Sequence, residues 1–366
     1  MGNIKVVTIT LTQNCNLDCT YCYEHHKSNQ TISFDVVKSI IDYELSNAVI
    51  NEKIEFDLFG GEPFLEFQLI KKITEYIYNV KGDKQCQIFA TTNGTLVHGK
   101  IQEWLREHVD CFVCGLSLDG TREMHNINRS NSYDNIDIAF FRELYPEQDV
   151  KMTISKETLA NLADGVIELH EKGFLVSCNL AYEIDWSSDE NAKLLNIELH
   201  KLIDYYLKNP NITPCSMLDM SITNIGTNWE DALRFCGAGI SMRSYDVNGK
   251  SYPCQFFMPL SLGEEKSLKV KEIEFPIDII DPKLLDLKCR DCIIRSACPN
   301  CFGANFAATG NIYKRDDNMC KLTKLTLKAR SYFRARQWEL GLLQGDTIEI
   351  QATLRAIVKI QEELFV

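Results

Sequence analysis

The stretch Val6-Val7-Thr8-Ile9-Thr10-Leu11 followed by Cys15-Asn16-Leu17-Asp18-Cys19-Thr20-Tyr21-Cys22 sets a β-branched apolar run directly before three cysteines spaced C-x3-C-x2-C. Val6 to Leu11 reads as a strand. Outward from it the same unit repeats. Helical periodicity covers Phe34 to Ala48, Phe67 to Val80, Lys100 to His108, Ile136 to Leu144, Leu159 to Lys172 and Asp189 to Leu207. Between these lie β-like runs at Ile54 to Phe59, Gln87 to Thr92, Cys111 to Leu118, Val150 to Ser155 and Phe174 to Ala181. Six strand–helix units in series predict a parallel sheet, because parallel neighbours need helical crossovers. Either a partial barrel or an open doubly wound sheet satisfies the pattern, and both gather function at the carboxyl ends of the strands.

After Pro210 the character changes to a Gly/Asn/Pro/Cys-rich stretch from Thr213 to Cys320, followed by helical patterns at Leu322 to Trp338 and Thr347 to Leu364. The expected domains are therefore 1–212, a loop-rich cysteine-rich domain 213–325, and a helical tail 326–366. A region so poor in apolar periodicity needs staples such as metals. The whole chain has 366 residues, 15 cysteines and a net charge of −12. That charge argues against a generic nucleic-acid binder. No secretory signal and no apolar run able to span a bilayer is present, so a cytoplasmic address is expected. In a reducing compartment, abundant cysteine points to metal ligation or catalysis rather than disulfides.

Three thiolates on one short loop can hold three irons of a [4Fe–4S] cube and leave the fourth iron open. Structural zinc is the competing reading, and it wants four ligands. The loop, with an aromatic before its last cysteine and placed after the first strand of a βα repeat, resembles the radical S-adenosylmethionine (SAM) enzymes. That resemblance implies a partial (β/α)6 barrel, with Cys15, Cys19 and Cys22 holding a cluster that binds SAM. Gly60-Gly61-Glu62-Pro63 after the second strand resembles the segment that takes the methionine amino group. Thr92-Asn93-Gly94 and Ser117-Leu118-Asp119-Gly120 match at the ends of the third and fourth strands. By the same resemblance, Ser117 would contact the ribose or the methionine carboxylate, and Tyr21 would offer backbone contact to adenine.

The later cysteines, Cys236, Cys254 (after Gly249), Cys289-x2-Cys292-x5-Cys298-x2-Cys301 and Cys320, resemble the seven-cysteine SPASM extension of this family. The family implies up to two auxiliary [4Fe–4S] clusters: a distal one on Cys289, Cys292, Cys298 and Cys320, and a nearer one on Cys236, Cys254 and Cys301. Either Cys215 completes the nearer set or that set stays open to substrate. Cys86, Cys111, Cys114 and Cys178 are expected to be packing thiols, and Gly249-Lys250-Ser251 a hairpin turn rather than a phosphate loop, since Ser244 stands where a glycine is required.

What the resemblance implies is reductive SAM cleavage to a 5′-deoxyadenosyl radical and oxidative modification of a ribosomally made precursor peptide, by thioether or C–C cross-linking. The electron donor would be a flavodoxin or ferredoxin. Because the cysteine loop begins at residue 15, leader binding is expected from the barrel, the SPASM surface or a separate protein. Two alternatives stand beside this reading. One is a sulfatase-maturase forming formylglycine, in which the residue after Tyr-Pro-Cys is a catalytic aspartate; here Tyr252-Pro253-Cys254 is followed by Gln255. The other is a non-catalytic multi-cluster electron carrier. No residue is assigned as catalytic.

Overall fold

The computed structural model describes residues 4–49, 52–227, 232–233, 235–277, 279–281 and 283–364. Every strand and helix read from the first half of the sequence is present. In chain order they are β1 (Ile4–Thr12), α1 (Phe34–Ser46), β2 (Lys53–Gly60), α2 (Phe67–Val80), β3 (Gln85–Thr92), α3 (Lys100–Glu107) and β4 (Phe112–Leu116). A helix absent from the sequence reading follows, α4 (Arg122–Asn128), and then α5 (Ile138–Leu144), β5 (Val150–Ile154), α6 (Leu162–Glu171), β6 (Val176–Leu180) and α7 (Asp189–Lys208).

The chain forms two compact units. The first holds Met1–Leu118, His125–Lys151 and Gly237–Phe275. Its sheet has β1 paired in parallel with β2, β2 with β3 and β3 with β4. Val7, Ile9 and Leu11 are fully buried, as are Thr8, Thr10 and Thr12 on the opposite face. Burial on both faces is the mark of a central strand, and it explains the unbroken β-branched run in the sequence. The other neighbour of β1 comes from the cysteine-rich region: β7 (Met242–Tyr245) pairs with it in parallel, and β8 (Ser251–Tyr252) returns antiparallel to β7. The turn between them is the expected hairpin, with Asp246 and Lys250 hydrogen-bonded and Gly249 at φ 78°. Residues 237–275 thus cluster with the first unit rather than with the rest of 213–325. The physical reason is this pairing, reinforced where Glu44 of α1 accepts from Tyr245 Oη at 2.5 Å and from Arg243 at 3.1 Å.

The second unit holds Asp119–Met124, Met152–Cys236 and Pro276–Val366. In it β5 and β6 pair as a two-stranded sheet. The expected tail is a pair of helices, α9 (Asp317–Glu339) and α10 (Thr347–Leu364), preceded by α8 (Phe302–Thr309). They are not separate from the rest of this unit. Ile222, Ile225, Ile294, Leu327, Ile357 and Ile360 form one buried cluster that joins α9 and α10 to the loops of the cysteine-rich region. Among the described residues no helix is long and apolar enough to cross a membrane.

Candidate functional site

The loop that carries Cys15, Cys19 and Cys22 leaves β1 through a bulge between Thr10 and Thr12, which turns the chain out of the sheet at its carboxyl edge. All three thiols are partly exposed. The loop is held by backbone hydrogen bonds from the segment after β2: Gly61 N–H donates to Thr12 O (3.1 Å) and Glu62 N–H to Asn14 O (2.9 Å). A Cβ on Gly61 would overlap the Asn14 carbonyl oxygen and stand 2.9 Å from the Cys15 Cβ. The glycine is therefore required by the approach of two protein loops to each other.

Glu62 is 1% exposed. Its Oε1 accepts from Thr92 Oγ1 (2.8 Å) and Phe64 N–H (3.1 Å), and its Oε2 from Asn93 N–H (2.8 Å). Burial raises its pKa to about 7, against the opposing effect of these donors and of the Arg129 charge. A buried carboxylate in that condition is a natural acceptor for an incoming cation. Asn93 in turn donates to Asn16 Oδ1 (2.9 Å), and Asn16 to Thr95 Oγ1 (2.8 Å), which ties the segment after β3 to the cysteine loop. Ser117 continues the series at the end of β4, its N–H bonded to Thr92 O at 2.9 Å and its backbone bridged to Lys151. The strand-end motifs that the sequence reading singled out in this unit, from Tyr21 through Gly60, Gly61, Glu62, Thr92 and Asn93 to Ser117, thus line one edge of the sheet.

Sequence reasoning missed the third support of the loop. Thr20 N–H donates to Asn128 O (2.9 Å), Asp18 N–H donates to Ser130 Oγ (2.9 Å), and the Arg129 guanidinium lies 5.4 Å from the centroid of the Tyr21 ring. Ser130 and Asn131 both sit at φ 54°, where a side chain is uncommon. The only signal was the Ser-Asn pair after a short helical pattern. Lys27 approaches the three thiols; its own burial opposes its charge, but the cysteines outweigh that and hold its pKa up.

In the second unit Cys289, Cys292, Cys298 and Cys320 line one small cavity. The Cys298 thiol, driven up to about 11 by burial, accepts from Arg315 Nη1 at 2.8 Å. Arg315 also donates to Pro299 O (3.1 Å) and Thr323 Oγ1 (2.7 Å). The Cys236 thiol lies close enough to Cys301 to add to the effect of burial in raising the Cys301 pKa, and the Tyr182 hydroxyl bonds the Cys301 thiol. Cys254, the remaining member expected with them, is buried in the first unit at the head of the turn Gln255–Phe257. Next to it Tyr23 stacks on Phe256 with centroids 4.4 Å apart.

Cys215 is fully buried where the chain enters the turn Ser216–Asp219. Its N–H donates to Tyr206 Oη (2.9 Å), and the charged and thiol groups acting on it include Arg330 and Cys178. Cys114 and Cys178 are buried as packing thiols, while Cys86 and Cys111 are partly exposed. Among the described residues no three His, Cys, Asp or Glu side chains are grouped as ligands of a single metal ion. A cube, which gives each thiolate its own iron, does not ask for such a grouping. Three half-exposed thiols beside a buried carboxylate fit a SAM-binding cluster, and the cavity of four thiols fits a fully ligated one.

Residues 9–180 match the sequence profile of the radical SAM superfamily. A cysteine-type anaerobic sulfatase-maturating enzyme of Clostridium perfringens is 25% identical over 302 residues, covering 75% of this chain and 80% of its own. An uncharacterized protein of Methanocaldococcus jannaschii is 37% identical over 129 residues, but the match spans 35% of this chain and 43% of that protein. The fold is that of native anSMEcpe with bound AdoMet and Cp18Cys peptide (TM-score 0.69, 20% identity, 92% of this chain and 98% of that one). Streptococcus suis SuiB bound to precursor peptide SuiA is similar over 87% of this chain and 76% of its own, with a TM-score of 0.56 and 14% identity.

Proposed function

From the premise that this chain belongs to the radical SAM superfamily, we propose that it is a peptide maturase that oxidatively cross-links a ribosomally made precursor. When bound, the cluster and SAM supply a carbon radical able to take hydrogen from an unactivated C–H bond. The chain's own residues hold and orient them. Cys15, Cys19 and Cys22 would ligate the cluster, Glu62 would accept the methionine ammonium, and Tyr21, Thr92, Asn93 and Ser117 would frame the nucleoside and carboxylate. Gly61 keeps the two loops in contact.

The single observation that carries the oxidative reading is the cavity lined by Cys289, Cys292, Cys298 and Cys320, with Arg315 donating to sulfur. A second cluster held there would supply an electron sink for net oxidation of the substrate. Cys236 and Cys301, neighbours within the second unit, would contribute to a further cluster, and Cys215, engaged by Tyr206 and near Cys178, is read as a packing thiol.

Similarity to a sulfatase-maturating enzyme supports formylglycine formation as the second reading. Gln255 stands against it, since an amide has no basic oxygen with which to take a proton. The proposed partners are the precursor peptide and a flavodoxin- or ferredoxin-type donor, in the cytoplasm.

The test is anaerobic reconstitution with SAM and dithionite, followed by co-expression with candidate precursor peptides. Release of 5′-deoxyadenosine and a product lighter by two hydrogens are expected. A cysteine or serine converted to formylglycine would decide for the second reading. Persistent absence of 5′-deoxyadenosine would leave only an electron carrier.

A further inference from the structure

Within the second unit a cavity of about 280 Å³ opens beside β6 and α9. Its walls are mostly apolar, with Leu180, Met217, Met220, Phe235 and Met319 among them. Two arginines, Arg315 and Arg330, also line it, and no Asp or Glu does. Arg315 already has a use, because its Nη1 donates to the Cys298 sulfur. Arg330 does not. It is 4% exposed, its Nε donates to Met217 O at 2.6 Å, and Nη2 reaches only the Met220 sulfur at 3.2 Å. Its Nη1 is buried with no hydrogen-bond partner.

A buried guanidinium without an anion is costly. The candidates for a counter-ion inside the protein do not serve. Asp219 is engaged by Arg334 at 3.4 Å. The Cys215 thiol is held by Tyr206, and the Cys298 thiol already accepts from Arg315. Anchoring the Met217 carbonyl needs a single donor, so the remaining face of the fork is left for something else. Arginine matches a carboxylate with two parallel N–H donors. The cavity also touches both thiol groups of this unit. Tyr182, which bonds Cys301, and Arg315, which bonds Cys298, both line it.

We propose that this cavity is a substrate subsite that takes a carboxylate of the peptide, paired with the Arg330 guanidinium and carried on an apolar stem packed against the methionines. Arg330 is then a specificity-determining residue. This rests on the peptide-maturation reading, which names the class of ligand. The carboxylate belongs either to an acidic side chain or to a peptide C-terminus.

Three capped probes separate these cases on the anaerobically reconstituted protein: acetyl-Leu-Glu-Leu-amide, acetyl-Leu-Gln-Leu-amide, and acetyl-Leu-Gln-Leu with a free C-terminal carboxylate. Isothermal titration is expected to show an acidic probe binding about tenfold or more tightly than the amide probe, the scale of one charge-assisted hydrogen bond. Whichever acidic probe gains identifies the source. Arg330→Gln should erase the difference, and Arg330→Lys should keep part of it.

Because Arg330→Gln also removes a buried anchor, Thr326→Glu is the second variant. Thr326 lines the same cavity one turn before Arg330 on α9, so a glutamate there supplies an internal partner. It should raise the melting temperature while abolishing the preference for acidic probes. Equal binding of acid and amide probes by the unmutated protein overturns the proposal, as does a preference that survives in both variants. SAM cleavage measured on the same preparations reports separately on the peptide-maturation reading, and its loss would not alter the probe result.

Discussion

The cysteine loop of the first unit and the four-thiol cavity of the second each have a cation at sulfur, Lys27 in one and Arg315 in the other, but only the first adds a buried carboxylate. Cys15, Cys19 and Cys22 sit on a loop pinned by hydrogen bonds to three neighbouring segments, and the buried group beside them is a carboxylate, Glu62. Cys289, Cys292, Cys298 and Cys320 sit around a buried arginine that donates directly to sulfur. The first arrangement leaves a place for a ligand that brings its own cation, as the SAM ammonium does. The second supplies its own cation and has no place left to fill. A radical generator needs the first, and an electron acceptor is served by the second, since hydrogen bonds and positive charge at sulfur favour the reduced cluster.

Removing one thiol from each region breaks this comparison most sharply. Cys19→Ala should abolish 5′-deoxyadenosine formation while the auxiliary iron and its EPR signals persist. Cys298→Ala should leave SAM cleavage measurable while iron content falls. Identical losses in both variants would refute the division of labour. Next in size is Gly61→Ala. Its new methyl cannot coexist with the Asn14 carbonyl where both now stand, so the cysteine loop must shift. A loss of about 100-fold or more in SAM cleavage, with the auxiliary clusters intact, is expected, because displacements of about 1 Å carry such costs.

Glu62 then sharpens the picture through pH. Burial lifts its pKa to about 7, well above the ordinary glutamate range. In the free protein the acid is protonated below that value and cannot accept the ammonium, so SAM binding should tighten as pH rises through about 7. The same shift makes the folded state bind protons more readily than the unfolded one, so this group's contribution to stability falls as pH rises through that window. Glu62→Gln should flatten the binding profile and weaken SAM by about 30-fold at neutral pH, the scale of about 2 kcal/mol for a charged hydrogen bond. A wild-type profile that is flat between about pH 6 and pH 8 would contradict the assignment of Glu62.

Most of the first unit was legible because its signals are periodic or local. The β1 run reads as a strand, and the motifs after β2, β3 and β4 fall at strand ends because the alternation puts them there. What was not legible depended on contacts far apart in the chain. The hairpin turn at Gly249–Ser251 is legible, but nothing in Met242–Tyr245 announces a parallel partner for β1. Glu44 and Arg243 meet only once α1 and β7 are placed. Arg315 and Arg330 look like ordinary charges on a basic helical stretch, where eight basic residues stand against three acidic between Tyr313 and Leu340. Their burial is a property of the fold, not of the local pattern. Gly61 belongs to a segment that resembles a ligand-binding one, yet the close approach that its missing Cβ permits is to the cysteine loop itself.

The smallest expected effect tests the support that the sequence hid. Ser130 Oγ accepts from the Asp18 N–H, and Ser130 holds φ at 54° to do so. Alanine loses the acceptor and keeps the backbone cost, whereas glycine loses the acceptor but is free of that cost. The hydrogen bond is exposed, so its loss alone should amount to about 1 kcal/mol or less. Ser130→Ala should therefore lower the melting temperature of the reconstituted protein, and Ser130→Gly should lower it less, by about 1 kcal/mol in stability. Both should retain SAM cleavage within about threefold, because Thr20 and the Gly61–Glu62 segment still hold the loop through donors of about 1 kcal/mol each. If both variants lost SAM cleavage equally and well beyond that range, the hydrogen bond that both remove would set the position of the loop. The Asp18–Ser130 contact would then stand with Gly61 as a determinant of the cluster site.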